Sequence, residues 1–202
     1  MIRLVETDRE FAELEREWRR LEAETRSSVF SGFDFIHTSW TCLRKPAHRL
    51  LILVSDTEGT IDTIAPFFVY RARYRGIPFR QIGLIGEWEG DRPGILTTLP
   101  GETAWRRIVD FLDKEVAGWE AINLIEQPKE AAGGNGRGLL DHGSCYWEET
   151  PDGVGYYTSL RGTWETYLEK IDAKVKSNLR NRTRRLSGRP QGFTVECFTK
   201  PD

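Results

Sequence analysis

The first half of the chain contains the stretch HRLLILVSDTEGTIDTIAPFFVYRARYRGIPFRQIGLI, residues 48–85. Turn signals at 56–59 (Asp-Thr-Glu-Gly) and 76–78 (Gly-Ile-Pro) divide it into three apolar runs. Each run is rich in β-branched and aromatic residues, which favour strands. The stretch therefore predicts three consecutive antiparallel strands. Pro66 falls inside the second strand, where a proline favours a bulge or an edge position.

Helical patterns flank these strands on both sides. A first helix is predicted after a cap at Thr7 or Asp8, and a shorter one over 34–43. Further strands are predicted at the N-terminus and over 121–125, 145–150, 154–159 and 193–198. The apolar stripes of the two main helices are Phe11, Leu14, Trp18 and Leu21, and Trp105, Ile108, Val109, Leu112 and Val116. This order predicts an α/β (α+β) fold, a mixed and largely antiparallel sheet flanked by helices.

The last quarter of the chain contains two helices of contrasting composition. The first, TWETYLEKI at 163–171, is aromatic and amphipathic, and the second, KVKSNLRNRTRRL at 174–186, is basic. Residues 173–195 contain seven Lys or Arg and no Asp or Glu, a net charge of +7, whereas residues 1–172 contain 21 basic and 29 acidic residues, a net charge of −8. Such segregation indicates an acidic ligand or partner.

Composition argues against several classes of protein. With 39% hydrophobic and 30% charged residues, and no apolar run near the roughly 18 residues of a membrane span, no span is predicted. The N-terminus lacks the pattern of a secretory signal, which favours the cytoplasm. The three cysteines, Cys42, Cys145 and Cys197, are predicted to be reduced, buried thiols. His142 and Cys145 have no second ligand pair, so no metal site is predicted.

The loop after the third predicted strand gathers polar and charged side chains. It reads GEWEGDRPG over 86–94, and its candidate substrate-binding residues are Trp88, Asp91 and Arg92. Glu126, at the end of a later predicted strand, is a fourth candidate. Loops beyond strand ends often carry ligand-binding groups in sheets of this kind.

No catalytic residue is identified by the sequence, but this loop offers carboxylates. Glu87, Glu89 or Asp91 can take the proton of an attacking amine or hydroxyl if burial raises its pKa. The alternative interpretation is a solvated turn. The three histidines are scattered, and no Ser/His/Asp or Cys/His arrangement emerges.

Three interpretations of the basic helix stay open. In the first, Val175, Leu179 and Leu186 pack inward and the arginines are solvated or paired. In the second, the arginines bind the phosphate of a ligand. The third is RNA binding, which is ranked last because no aromatic residue lies between 173 and 191 to stack on bases. The arginines concerned are Arg180, Arg182, Arg184 and Arg185.

The element order and one motif together resemble a known family. The motif is Tyr-Leu-x-x-Ile followed by Ser-Asn-Leu-Arg-Asn-Arg-x-Arg-Arg-Leu, within 164–186. With the tryptophan-led first helix and the proline-containing long strand, it resembles the CelD-like acetyltransferases of cellulose and exopolysaccharide biosynthesis, in the GNAT and FemAB-like class of tandem domains. The likeness covers most of residues 1–199. It implies a GNAT-like N-terminal domain over 1–160, and a basic linker with the first strand of a second domain over 161–202.

The resemblance also implies an activity. Such proteins transfer an acetyl or other acyl group from acyl-CoA to an amine or hydroxyl, here of a small-molecule or saccharide acceptor. The family binds the CoA pyrophosphate with a loop of the form Arg/Gln-x-x-Gly-x-Gly/Ala. No segment matches that form, since the candidates at Arg73, Arg80, Arg185 and Arg189 all lack the final Gly or Ala. Acetyl-CoA or another acyl-CoA is therefore expected to bind outside this chain. The alternative function is a non-catalytic module that binds a polyanion or a partner through the basic helix, residues 174–189.

Overall fold

A computed structural model of the protein describes residues 1–25, 27–125, 148 and 161–188. The chain divides into two compact units, Met1–Asp152 and Gly153–Asp202. The described part of the first unit contains a six-stranded sheet, and the described part of the second contains two helices. The strands predicted over 154–159 and 193–198 lie outside the described residues, as does nearly all of the one over 145–150.

The sheet is mixed and mostly antiparallel, which confirms the predicted fold class. Its strands follow the order β1-β2-β3-β4-β6, and β5 pairs with β3 beyond the end of β4. Among the strands that the structure describes, only β4 and β6 pair in parallel. The predicted strand over 121–125 is shorter than expected, and β5 was not predicted. The strands are β1 Ile2–Val5, β2 Arg49–Thr57, β3 Thr60–Tyr74, β4 Ile77–Leu84, β5 Leu96–Thr97 and β6 Ala121–Ile122.

The first predicted helix is two helices. The N–H of Leu14 bonds the carbonyls of both Phe11 and Ala12, a tighter turn that separates them. Thr7 caps the first helix with a capping box: its side chain accepts the N–H of Glu10, and the Glu10 carboxylate accepts the N–H of Thr7. The helices are α1 Asp8–Glu13, α2 Glu15–Thr25, α3 Phe33–Leu43, α4 Gly101–Glu115, α5 Trp164–Lys170 and α6 Ala173–Ser187.

Both faces of the sheet are covered, which explains the continuous apolar run of β2. Leu50, Ile52 and Val54 pack in one core with residues of α1, α2 and α3. Leu51 and Leu53 point to the other face and pack with α4. Because successive side chains of a strand alternate between faces, a strand buried on both sides is apolar at every position.

Pro66 lies in the middle of the sheet, so the prediction of an edge position or a bulge at that point is wrong. On one side it faces Ile52 of β2. On the other side the partner of β3 changes from β4 to β5, and the Pro66 carbonyl accepts the N–H of Ile85 at 2.8 Å. On this side β3 has no strand partner at Pro66, so the N–H that proline lacks is not needed for the sheet's hydrogen bonds. The register irregularity lies elsewhere, between Ser55 and Asp56.

The hydrogen bond from Ile85 to the Pro66 carbonyl also fixes the start of the loop that follows β4. β4 ends at Leu84, opposite Phe67, and the chain crosses through α4 to return as the parallel strand β6. In open α/β sheets, ligands bind outside the carboxyl ends of parallel strands. The carboxyl end of β4 is therefore the place in this sheet where a site is expected.

The cysteine and metal-site predictions can be examined only within the described residues. Cys42 is exposed on α3, so its predicted burial is wrong, because it lies off the buried face of that helix, which is formed by Phe33, Ile36, Ser39 and Trp40. Cys145, Cys197 and His142 lie outside the described residues. Within the described ranges, no group of three potential metal ligands is present. Across the same ranges, no helix has the length and apolarity needed to cross a membrane.

Candidate functional site

The loop after β4 folds back on the strand that precedes it. Gly86 has a φ of 81°, a conformation that favours glycine, and starts the reversal. The N–H of Glu87 donates to the Leu84 carbonyl at 3.1 Å, and that of Gly90 donates to the Gly86 carbonyl at 2.9 Å. The reversal brings the side chain of Glu87 beneath the end of β4, where only 2% of the residue is exposed.

The Glu87 carboxylate is held by two donors. The backbone N–H of Leu84 donates to Oε2 at 3.1 Å, and the Tyr70 hydroxyl donates to Oε1 at 3.2 Å. A β-carbon at Gly83 would lie 2.6 to 2.9 Å from the carboxylate. The carboxylate thus occupies the space that the glycine leaves, and the solvated-turn interpretation is wrong for this residue.

Burial raises the pKa of Glu87 to about 7, against the opposing effect of its hydrogen bonds from Leu84 and Tyr70. Near neutral pH the protonated and ionised forms therefore coexist. A general base is most effective when its pKa lies near the operating pH, and Glu87 meets that condition. Burial is also the main cause that raises the pKa of the Tyr70 hydroxyl, followed by the charge of Glu87.

Tyr70 links Glu87 to polar side chains on the neighbouring strand and beyond β6. Gln81 donates its side-chain N–H to the Tyr70 oxygen. Asn123 also hydrogen-bonds that oxygen, and its backbone N–H bonds the Ile82 carbonyl at 2.9 Å. The hydroxyl of the half-buried Tyr70 therefore donates one hydrogen bond, to Glu87, and accepts hydrogen bonds from Gln81 and Asn123.

Four rings form an aromatic cluster above Glu87. Tyr70 stacks on Phe68 with ring centroids 5.0 Å apart, and Trp88 meets Tyr70 edge-on at 5.2 Å. His48 lies 5.0 Å from Phe68 and 5.9 Å from Trp88. Trp88 is 53% exposed, so the cluster presents one large aromatic side chain to solvent beside the buried carboxylate.

A cavity of about 320 Å³ adjoins the aromatic cluster, and we call it the Lys45 pocket. It is lined by Arg44, Lys45, Pro46 and His48, in the connection between α3 and β2. The Lys45 ammonium lies 5.9 Å from the centre of the Trp88 ring. Arg44 is engaged by the carboxylate of Asp8. The pocket thus has a basic lining that continues into the aromatic cluster through His48.

The predicted loop residues have different positions. Trp88 joins the aromatic cluster, whereas Asp91 is exposed and lies 3.6 Å from the Nε of Arg92. Arg92 is half-buried with a φ of 60°. Glu126 lies outside the described residues.

Sequence reasoning missed Tyr70, Gln81, His48 and Asn123 as members of the site. It named Glu87 only within a group of three loop carboxylates. A usable signal was present in β4, where Gly83 interrupts a strand close to an acidic loop, since a strand glycine often marks a close approach by another group.

The N-terminus of α4 follows the loop in a strand-loop-helix arrangement, the context that a pyrophosphate site needs. Its cap is Pro100, which has no N–H, and its first turn contains Glu102, which pairs with Arg106 at 3.0 Å. A proline and a carboxylate at this position disfavour an anion. These residues do not fit the pyrophosphate of CoA.

The basic helix α6 is exposed along its length. No residue of it is buried, and Val175, Leu179 and Leu186 are 51%, 38% and 39% exposed. The first of the three interpretations, in which these side chains pack inward, is therefore contradicted. The four arginines are also exposed, and Arg184 donates to the Asn181 Oδ1 at 3.4 Å. On α5, Trp164 and Tyr167 stack with ring centroids 5.5 Å apart.

The Glu87 carboxylate fills the space beside Gly83, so the loss of stability caused by a larger residue at position 83 should depend on Glu87. Gly83→Ala is expected to destabilise the protein by about 1–3 kcal/mol, because the new methyl group displaces the carboxylate and leaves the Leu84 N–H without its partner. In a Glu87→Ala background the same change should cost under about 0.5 kcal/mol. Urea unfolding of the four proteins measures this cycle, and equal costs in both backgrounds would contradict the fit.

No family model and no curated protein matches the chain. A solved structure to which the chain is similar is that of ribosomal-protein-alanine N-acetyltransferase from Brucella melitensis biovar Abortus 2308, at 15% identity and a TM-score of 0.38. The alignment covers 77% of this chain and 99% of that chain.

Proposed function

We propose that this chain forms the acceptor side of a GNAT-type, acyl-CoA-dependent acyltransferase. The observation that carries the proposal is Glu87, a buried carboxylate with a pKa of about 7 at the carboxyl end of β4. β4 is joined through α4 to the parallel strand β6, the arrangement in which open sheets bind ligands. The CelD-like motif of α6 is an independent argument from the sequence for the same class of reaction.

In this proposal Glu87 receives the proton of the acceptor. Glu87 is almost completely buried, whereas Tyr70 is half-buried and donates to it. In this step the acceptor amine or hydroxyl replaces Gln81 or Asn123 as a donor to the Tyr70 oxygen. The Tyr70 hydroxyl then passes its proton to Glu87 as it takes the proton of the acceptor. The acceptor atom loses this proton as it attacks the acyl carbon, and the thioester C–S bond of acyl-CoA would break to release CoA as a thiolate. Bound acyl-CoA would supply the acyl group. We place its site outside residues 1–202, because no segment has the family's pyrophosphate loop and the N-terminus of α4 does not fit the pyrophosphate.

The acceptor we propose is a sugar or a polysaccharide precursor. The CelD-like resemblance supports this class, and the exposed ring of Trp88 beside the buried base is compatible with it. Aromatic side chains offer large, flat apolar surfaces to ligand rings. Asp91, Arg92 and Glu126 remain proposed substrate-binding residues of this site.

Calorimetric titration of acetyl-CoA tests the proposal. We expect binding to the product of the full reading frame and none to residues 1–202 alone. Binding to the 202-residue chain would place the cofactor site within it. If neither protein binds acetyl-CoA, the acyltransferase proposal is wrong.

The exposure of α6 favours a second candidate function, a module that binds a polyanion. If the acyltransferase proposal is right, residues 1–202 should bind single-stranded RNA weakly. A polyanion module would bind it tightly, and its log K would fall steeply with log salt. Replacing Arg180 and Arg184 by alanine would then reduce that slope by about 1.4, at about 0.7 per phosphate contact. The matched control replaces Arg71 and Arg73, two exposed residues of β3.

A further inference from the structure

The Lys45 pocket has the charge of an anion site. None of its four lining residues is acidic. Asp8 compensates the charge of Arg44, whereas Lys45 makes no ion pair within the described part of the chain. An ammonium without a carboxylate partner, beside a cavity of about 320 Å³, leaves a net positive charge for a ligand to neutralise.

His48 adds a neutral donor to this charge. Its Nδ1 accepts the backbone N–H of Lys45 at 3.3 Å, which assigns the ring proton to Nε2. Burial first, and then the charge of Lys45, lower the pKa of His48, so the ring is neutral at pH 7. A cation and an N–H donor on one wall match the acceptor-only oxygens of a phosphate or a carboxylate.

The pocket and the aromatic cluster share His48. Lys45 and His48 both contact Trp88, at 5.9 Å in each case, and Trp88 is the exposed member of that cluster. Tyr70, the neighbour of Glu87, lies 5.2 Å from Trp88. A ligand whose anionic group lies in the pocket would therefore place its remaining atoms against Trp88 and toward the proton-accepting pair.

We propose that the Lys45 pocket binds the anionic group of the acceptor while Trp88 packs against its ring, so that the acceptor is an anionic sugar. That this ligand is the acceptor rests on the function proposed above, but its binding requires no acyl donor. Phosphate and carboxylate share the chemistry that the pocket recognises, and the experiment separates them.

The experiment follows the indole N–H signals of the ¹⁵N-labelled full chain during titration. The Trp88 signal is assigned by its loss in Trp88→Phe. The probes are glucose 1-phosphate, glucuronate, glucose and inorganic phosphate. We expect at least one of the two anionic sugars to shift the Trp88 signal at concentrations up to about 10 mM, and to bind more tightly than glucose or inorganic phosphate.

Substitution of Lys45 tests the role of the pocket. Lys45→Gln should weaken binding about tenfold, and Lys45→Arg should retain most of it. Lys114→Gln, on α4 in the other core layer, is the matched control and should bind as the unmodified chain does. An unshifted Trp88 signal with both anionic sugars, an unchanged affinity in Lys45→Gln, or equal binding of inorganic phosphate would overturn the proposal. If this binding is observed but acyl transfer is not, the proposed acyltransferase function is wrong and the proposed anion site is supported.

Discussion

Glu87→Gln is expected to lower kcat/KM for acyl transfer at least about a hundred-fold, because the amide cannot take the proton that Tyr70 passes on. Glutamine keeps the shape of glutamate and still fits the space at Gly83, so the loop should fold as before. Rates of CoA release from acetyl-CoA, measured with the product of the full reading frame and an anionic sugar, give the ratio. Glu89→Gln, an exposed change two residues away, is the control and should have little effect.

The pH dependence of the reaction identifies the group. Only the ionised carboxylate accepts a proton, so kcat/KM should rise with pH and level off above about 7, the pKa of Glu87. In Glu87→Gln this rise should disappear while a low residual rate remains. A profile that keeps its rise in the variant would assign the base to another residue.

The fold was predictable because its signals are local. An uninterrupted apolar run indicates the buried strand β2. The turns on either side of β3 contain Gly59 and Gly76, both with positive φ. The position of Pro66 was not predictable, because its tolerance depends on which strand lies beside it. That neighbour changes from β4 to β5 at this point, and a two-residue strand has no sequence signature of its own.

The site was only partly predictable because the loop is nearly symmetrical in sequence. Glu87 and Glu89 flank Trp88, and both are equally plausible bases on local grounds. What separates them is distant in the chain, since the hydroxyl of Tyr70 lies 17 residues away in sequence. The exposure of α6 was likewise beyond local reasoning, because an amphipathic pattern shows which face is apolar and not what covers it.

Stability should depend on pH through the same carboxylate. The ordinary pKa of a glutamate, 4.5, applies to Glu87 in the unfolded chain, whereas its pKa in the folded protein is about 7. Between these values the folded protein binds more protons than the unfolded chain. The free energy of unfolding should therefore fall as pH rises through this window, by up to about 3 kcal/mol for a shift of this size. The stabilising contribution is fully present below pH 4.5 and is lost above about 7.

Comparison with Glu87→Gln isolates this contribution from all other titrating groups. The difference in unfolding free energy between the two proteins, from urea titrations at about pH 5 and about pH 8, should change by about 2–3 kcal/mol in favour of the variant at the higher pH. The Glu89→Gln control should show a much smaller change, because the charge of Glu89 makes only the smallest contribution to the raised pKa of Glu87. A difference independent of pH would show that Glu87 is ionised throughout.

Tyr70→Phe connects stability with catalysis. The Tyr70 hydrogen bond lowers the pKa of Glu87, so its loss should move the midpoint of the stability change to higher pH. The same variant should lose activity, because the relay to the buried carboxylate is broken. A purely structural Glu87 would show the stability shift without any change in the rate of acyl transfer. A rate loss together with the shift is the result expected if Tyr70 and Glu87 move the proton of the acceptor.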